Sequence, residues 1–197
     1  LRSALPARSE MCIRDSSGGP HMLIDKFETY IINIAGLNDR TTRKKLSKLC
    51  KSVQFCDALQ FSINKQFNQY VLEISLPKQQ LPYFISFLSF HQYSIFQVLS
   101  PKKINELLDS DNLYQSAKRF DINIDGLQDA FIKDKVIDIM NMFQNHTDIT
   151  YTLNKSHAHI ICTPEIFAKL LHTIATRNID ILSANYRSSS MSKARIS

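Results

Sequence analysis

Apolar and polar positions along this chain fall into two rhythms, and the same succession of rhythms occurs twice. Residues 30–35 are an apolar, β-branched run that stops at Gly36, the pattern of a strand entering a turn. Leu46, Leu49, Cys50 and Val53 then recur at three- and four-residue spacing, which predicts a helix with one stripe toward a core. Residues 58–63 and 70–76 predict two strands around the polar connection Asn64-Lys65-Gln66-Phe67-Asn68. Leu81, Phe84, Ile85 and Leu88 make a second helical stripe, and residues 93–99 a fourth strand. Proline inside a helix costs about 3 kcal/mol, so that second helix is expected to begin near Pro82.

The second succession follows the same order. Residues 120–124 predict a strand, and Ile132, Val136, Ile139, Met140 and Phe143 a helical stripe. Residues 148–153 and 159–162 are short strands around Asn154-Lys155-Ser156. Thr163-Pro164-Glu165 reads as a helix start: the threonine caps, proline fits the first turn and the acid faces the positive end of the dipole. Phe167, Leu170, Leu171 and Ile174 continue that helix, and residues 179–186 close the unit as a strand.

At one place the repetition is literal. Ile32-Asn33-Ile34-Ala35-Gly36-Leu37 returns ninety positions later, with one change, as Ile122-Asn123-Ile124-Asp125-Gly126-Leu127. Asp39 and Asp129 extend the register, and no glycine other than Gly36 and Gly126 occurs after residue 19. The expected class is therefore α/β (α+β), with two tandem ferredoxin-like βαββαβ sandwiches whose antiparallel sheets carry their helices on one face. The first unit spans residues 22–100 and the second residues 119–187, with 101–118 as a connector holding a short helix near residues 104–108. A unit of roughly 75 residues buries a small core, and its edge strands need cover. A second copy can give that cover by lying edge to edge or face to face.

Composition adds boundaries. Residues 1–21 read as a non-native, disordered leader, residues 7–16 resembling a translated adapter, and residues 188–197 as a disordered, basic tail. Three of the 24 basic and two of the 18 acidic side chains fall in the leader, leaving 21 and 16, a net of +5. That balance is mildly basic and by itself decides no partner. Cys50, Cys56 and Cys162, with no C-x-x-C pair, argue against a disulfide framework or zinc site and for a reducing, cytoplasmic setting. No stretch approaches the roughly 18 apolar residues of a membrane span.

Candidate chemistry is sparse. In the two turns, Asn38, Asp39, Gln128 and Asp129 stand where a helix start offers free amides to a ligand; they serve equally as helix caps. Arg40, Arg43, Lys44, Lys45, Lys48 and Lys51 crowd the first helix, with Arg40, Lys44, Lys48 and Lys51 on one face and Arg43 beside it. Such a stripe can follow phosphates or an acidic partner, or simply face solvent. The matching helix mixes Lys133, Asp134, Lys135 and Asp138, so the fold does not demand the charge. The central strands lack the glycine and paired aromatics of an RNA-recognition motif. His157 and His159 project to one side of a strand, without a third metal ligand at motif spacing. No His-x-Ser/Thr pair, P-loop, dinucleotide fingerprint or serine elbow occurs, and nothing calls for a cofactor. Cys50 falls on an apolar stripe, and Cys56 and Cys162 at expected strand positions, where burial keeps thiols inert. Phe87 and Phe90 lie off their helix stripe, available to a homodimer or to a contact between the two copies.

Tandem units of this order, with the first strand and turn Ile32-Asn33-Ile34-Ala35-Gly36-Leu37-Asn38-Asp39-Arg40, resemble ACT domains, and in particular the double-ACT glycine cleavage system transcriptional repressor family. Cys56-Asp57 falls where that family enters its second strand, and Gln66-Phe67 with Tyr70-Val71-Leu72-Glu73-Ile74 is similar to its hairpin. Ser183-Ala184-Asn185-Tyr186 resembles its closing strand. Where ACT turns usually continue Asp-Arg-Pro-Gly, this chain has Thr41-Thr42, and the second copy reads Gln128-Asp129-Ala130. The resemblance implies a non-enzymatic regulatory protein that senses an amino acid or related metabolite and acts through a protein partner, a transcription factor among them. It implies a ligand at an interface near Gly36, Leu37, Asn38, Asp39 and Arg40 and near Gly126, Leu127, Gln128 and Asp129. The alternative from the residues is a nucleic-acid-associated binding module using Arg40, Arg43, Lys44, Lys48 and Lys51.

Overall fold

The computed structural model describes residues 26–109 and 116–187. The expected leader, the tail and part of the connector lie outside them. The first half runs β1 (Phe27–Ile34), α1 (Arg40–Lys51), β2 (Gln60–Gln66), β3 (Gln69–Pro77), α2 (Leu81–Phe90) and β4 (Ile95–Leu99). The second repeats the order as β5 (Lys118–Ile124), α3 (Ala130–Gln144), β6 (Thr150–Leu153), β7 (His157–Cys162), α4 (Pro164–Thr176) and β8 (Ile181–Arg187). The eight strands form one antiparallel sheet in the order β2-β3-β1-β4-β8-β5-β7-β6. The two halves therefore meet edge to edge, β4 against β8, at Val98 opposite Ala184.

Alternation along the strands explains the layering. Ile32, Ile34, Leu72, Ile74 and Val98 share one face with Phe120, Ile122, Ala158, Ile160 and Ala184, and all are buried. Against that face pack Leu46 and Cys50 of α1, Phe84 and Leu88 of α2, Val136 and Met140 of α3, and Phe167 and Leu171 of α4. Phe120 and Phe167 stack at 3.9 Å between centroids. Between the halves, α2 and α4 touch, and the Ser86 hydroxyl donates to the Ala175 carbonyl at 3.1 Å.

The opposite, open face differs from end to end. Over the first half lies the connector: a 3-10 segment, Pro101–Glu106, kinked at Lys103, with Ile104 and Leu107 resting on Ile31, Val71 and Leu99. This replaces the helix expected near residues 104–108, because Leu107 turns extended to lay Leu108 along the sheet. Buried amides hold it there. Asn33 Nδ2 donates to the Leu108 carbonyl at 2.9 Å and to Gln97 Oε1 at 3.0 Å. Gln69 Nε2 donates to the same Leu108 carbonyl at 2.6 Å, and the Leu108 amide donates to Gln97 Oε1 at 2.7 Å.

Other boundaries differ for local reasons. The expected loop over residues 64–68 shrinks to Phe67-Asn68, with Phe67 at φ 54°, because β2 and β3 stay paired to Gln66 opposite Gln69. Cys56 is buried in the loop before β2, not in a strand. Phe87 packs edge-on against Phe55 and His91 of its own half, and Phe90 is exposed.

Candidate functional site

The two glycine turns are built alike. Gly36 and Gly126 adopt φ +76° and +69°, conformations that side chains rarely adopt, and Asp39 and Asp129 close each turn by donating N–H to the glycine carbonyl. Leu37 and Leu127 point into the core. Asp39 then caps α1, accepting from the Thr42 amide at 2.7 Å and the Thr42 hydroxyl at 2.9 Å. These bonds hold its carboxyl below the usual carboxylate range. Asp129 caps α3 in the same way, accepting from the Phe131 and Ile132 amides. The carboxylates expected to meet a ligand are thus engaged with their own helices, and the turns present Gly36, Asn38 and Arg40, or Gly126 and Gln128, to solvent. Nor do the turns meet. Each step from β1 through β4 and β8 to β5 is antiparallel, so β1 and β5 run in opposite directions and their turns lie at opposite ends of the strands.

The basic helix is where the sequence-derived residues converge. A cleft of about 540 Å³ lies between α1 and the edge strand β2, lined by Arg40, Arg43, Lys44, Ser47 and Lys51 on one side and Phe61, Ile63 and Tyr70 on the other. Lys48 is exposed outside that lining. Arg43 braces the turn. Its Nη1 donates to the Leu37 and Asn38 carbonyls at 2.8 and 2.7 Å, and its guanidinium covers the Tyr70 ring at 3.9 Å. The Tyr70 amide in turn donates to Asn38 Oδ1 at 3.2 Å. Arg40, Lys44 and Lys51 remain exposed over the cleft. Sequence patterning does not join Phe61, Ile63 and Tyr70 to the basic helix; the only signal is their apolar alternation on neighbouring strands.

A second polar area lies on the open face of the second half. Asp121 accepts from Arg187 Nε and contacts His159 Nδ1, while the other ring nitrogen of His159 meets Asn154 Nδ2 at 2.8 Å. His157 stacks on His159 with ring centroids 6.2 Å apart, so both imidazoles do share a face. Shallow cavities of about 260 and 520 Å³ flank Asp121 and Arg187. Among the described residues no group of three His, Cys, Asp or Glu side chains is placed to hold a metal. Burial pushes the Cys50 and Cys162 thiols up to about 12, so both hold their protons near neutral pH and lack a nucleophilic thiolate.

Fold and site together define a mixed α/β protein with one eight-stranded antiparallel sheet and a basic cleft at its first edge. No protein-family model, no curated protein and no solved structure matches the chain. Among the described residues no helix is long and apolar enough to cross a membrane.

Proposed function

We propose that the chain is a non-enzymatic regulatory protein of two ferredoxin-like, ACT-like units, responding to an amino acid or related metabolite and acting through a protein partner. The observation that carries this reading is the doubled β-α-β-β-α-β order, each copy with a positive-φ glycine and an aspartate-capped helix after its first strand. Two protonated cysteines and helix-engaged aspartates support binding over catalysis. Because the turns lie at opposite ends of the strands, a metabolite would meet one turn at a time. The turn at Gly36 is the better candidate, since Arg40 stands exposed beside it and can pair with a carboxylate.

Thermal shift of the full chain against the common amino acids tests the reading. A ligand at about 100 times its Kd adds about 2.7 kcal/mol of apparent stability, and Arg40→Ala should reduce that gain. No shift with any amino acid would remove the sensing role.

A further inference from the structure

We infer that the outer edge of β2 and the cleft beneath α1 form a docking site for an acidic, extended segment of a partner protein, which adds to the sheet as a further strand. This rests on the regulatory reading, for which it supplies the kind of partner.

Among the described residues the edge itself is open. β2 is seven residues long, pairs with β3 in unbroken register and ends the sheet. Among the described residues no strand pairs with its outer side. Exposed edges are commonly blunted by shortness, proline, bulges or charge. The opposite edge, β6, has only four residues. β2 has no proline or bulge and a single charge, Lys65. An extended peptide laid along such an edge gains backbone hydrogen bonds whatever its sequence, and pockets for alternate side chains supply the selectivity.

The cleft supplies that selectivity. Residues of an added strand beside Phe61 and Ile63 would point toward the helices, beneath Arg40, Lys44 and Lys51. No acidic residue occurs within α1 to neutralise these bases. From Arg40 to Lys51 the helix rises about 16 Å, and same-side positions of a strand recur about every 6.6 Å. Two or three acids at alternate positions therefore match the basic row. The intervening positions would lie beside Ser62 and Asn64 near Glu73, which repels further acids there. The preferred segment alternates acidic and neutral residues.

Other occupants fit less well. A second copy joined through β2 would bring together two helices whose only charges are basic. A single-stranded nucleic acid stacks successive bases on open aromatic faces, and of the two rings lining the cleft, Phe61 and Tyr70, the latter is already covered by Arg43.

Fluorescence anisotropy with the full chain tests the proposal, using a labelled ten-residue peptide of alternating Glu and Thr. Controls are the same composition in two blocks, a Lys-Thr alternate, an oligothymidylate, and peptides N-methylated on the amides of one strand edge or the other. The alternating acidic peptide should bind, the block peptide more weakly and the Lys peptide not at all. Lys44→Glu with Lys51→Glu should weaken binding about tenfold or more, with the melting temperature unchanged. N-methylation along one edge should abolish binding and along the other leave it intact. Equal binding of the block peptide, indifference to N-methylation at both edges, tighter binding of the oligothymidylate, or a β2-dependent dimer by light scattering would each overturn the proposal. A metabolite-induced thermal shift without peptide binding removes this site and leaves the regulatory reading standing; peptide binding without any shift does the reverse to the sensing role.

Discussion

The two halves of this molecule share a backbone and differ in almost everything laid over it. α1 carries only basic charges, whereas α3 alternates Lys133, Asp134, Lys135 and Asp138. The open face of the first half is closed by the connector on Asn33, Gln97 and Gln69; that of the second keeps Asp121, His159 and Arg187 at the surface. The strand ends, by contrast, are alike: the Ala35 amide donates to the Ser94 carbonyl and, at the matching place, the Asp125 amide donates to the Asp180 carbonyl, both at 2.9 Å. The comparison separates two kinds of demand. The fold needs alternation, helix stripes and a left-handed turn, which both copies keep; the surfaces are free to diverge, and there the two copies differ.

Substitutions can break or sharpen this comparison. The largest effect is expected for Phe120→Ala, which removes one ring of the Phe120–Phe167 stack and should cost about 3–5 kcal/mol in denaturant unfolding. Since β4 and β8 belong to one sheet, the whole chain should still unfold in a single transition; two separate transitions would show that the halves are independent.

Next comes the pair of equivalent asparagines. Asn33→Leu deletes the two buried hydrogen bonds of its Nδ2 and should cost about 1–2 kcal/mol; the Oδ1 of both asparagines lacks a partner among the described residues, so Asn123→Leu should change stability by less than about 0.5 kcal/mol. Hydrogen exchange at the Leu108 amide would show whether Asn33→Leu also frees the connector. Equal costs at the two sites would mean that the connector is not what the first half's face is built for.

Gly36→Ala and Gly126→Ala probe what the halves share. A Cβ would meet nothing nearer than 4.0 and 3.6 Å, so the left-handed backbone alone sets the cost, about 1–2 kcal/mol at either site. Clearly unequal melting shifts would show that the turns are not equivalent.

The smallest effect concerns pH, and its sign differs between the halves. Asp39 titrates below the ordinary value, so its contribution is present above that value, near 3.8, and is lost as pH falls through the lowered one. Burial, with Asp125 nearby, raises Asp180; its contribution is present below the ordinary value and is lost as pH rises through the raised one. Asp180→Ser should therefore raise the melting temperature at neutral pH and leave it unchanged below about pH 3. Asp39→Asn should flatten the acid limb in a melting-temperature series.

Much of this is legible in the chain. The phrase repeated at Ile32 and Ile122 locates both first strands and turns, because only glycine takes the required φ without strain. Thr163-Pro164 fixes the start of α4 to the residue, since cap and proline act locally. The cleft is half legible: the bases of α1 follow from helical period, but that they overhang Phe61 and Tyr70 depends on strand order, which no local pattern encodes. The connector escapes a local reading for the same reason. Its conformation answers to Asn33, Gln69 and Gln97, three side chains on three different strands.

By itself, then, the sequence determined what neighbours in the chain decide: the two successions of strands and helices, the glycine turns, the caps and the basic face of α1. Only the tertiary structure decided that the copies join through β4 and β8, that their turns consequently face away from each other, and that β2 ends the sheet beside that basic face with no further strand of the described residues on its outer side. Backbone pairing is the physical reason. A strand's own pattern says which side is apolar, but its free hydrogen-bonding edge accepts any partner, and which partner it receives is settled by the packing of the whole molecule.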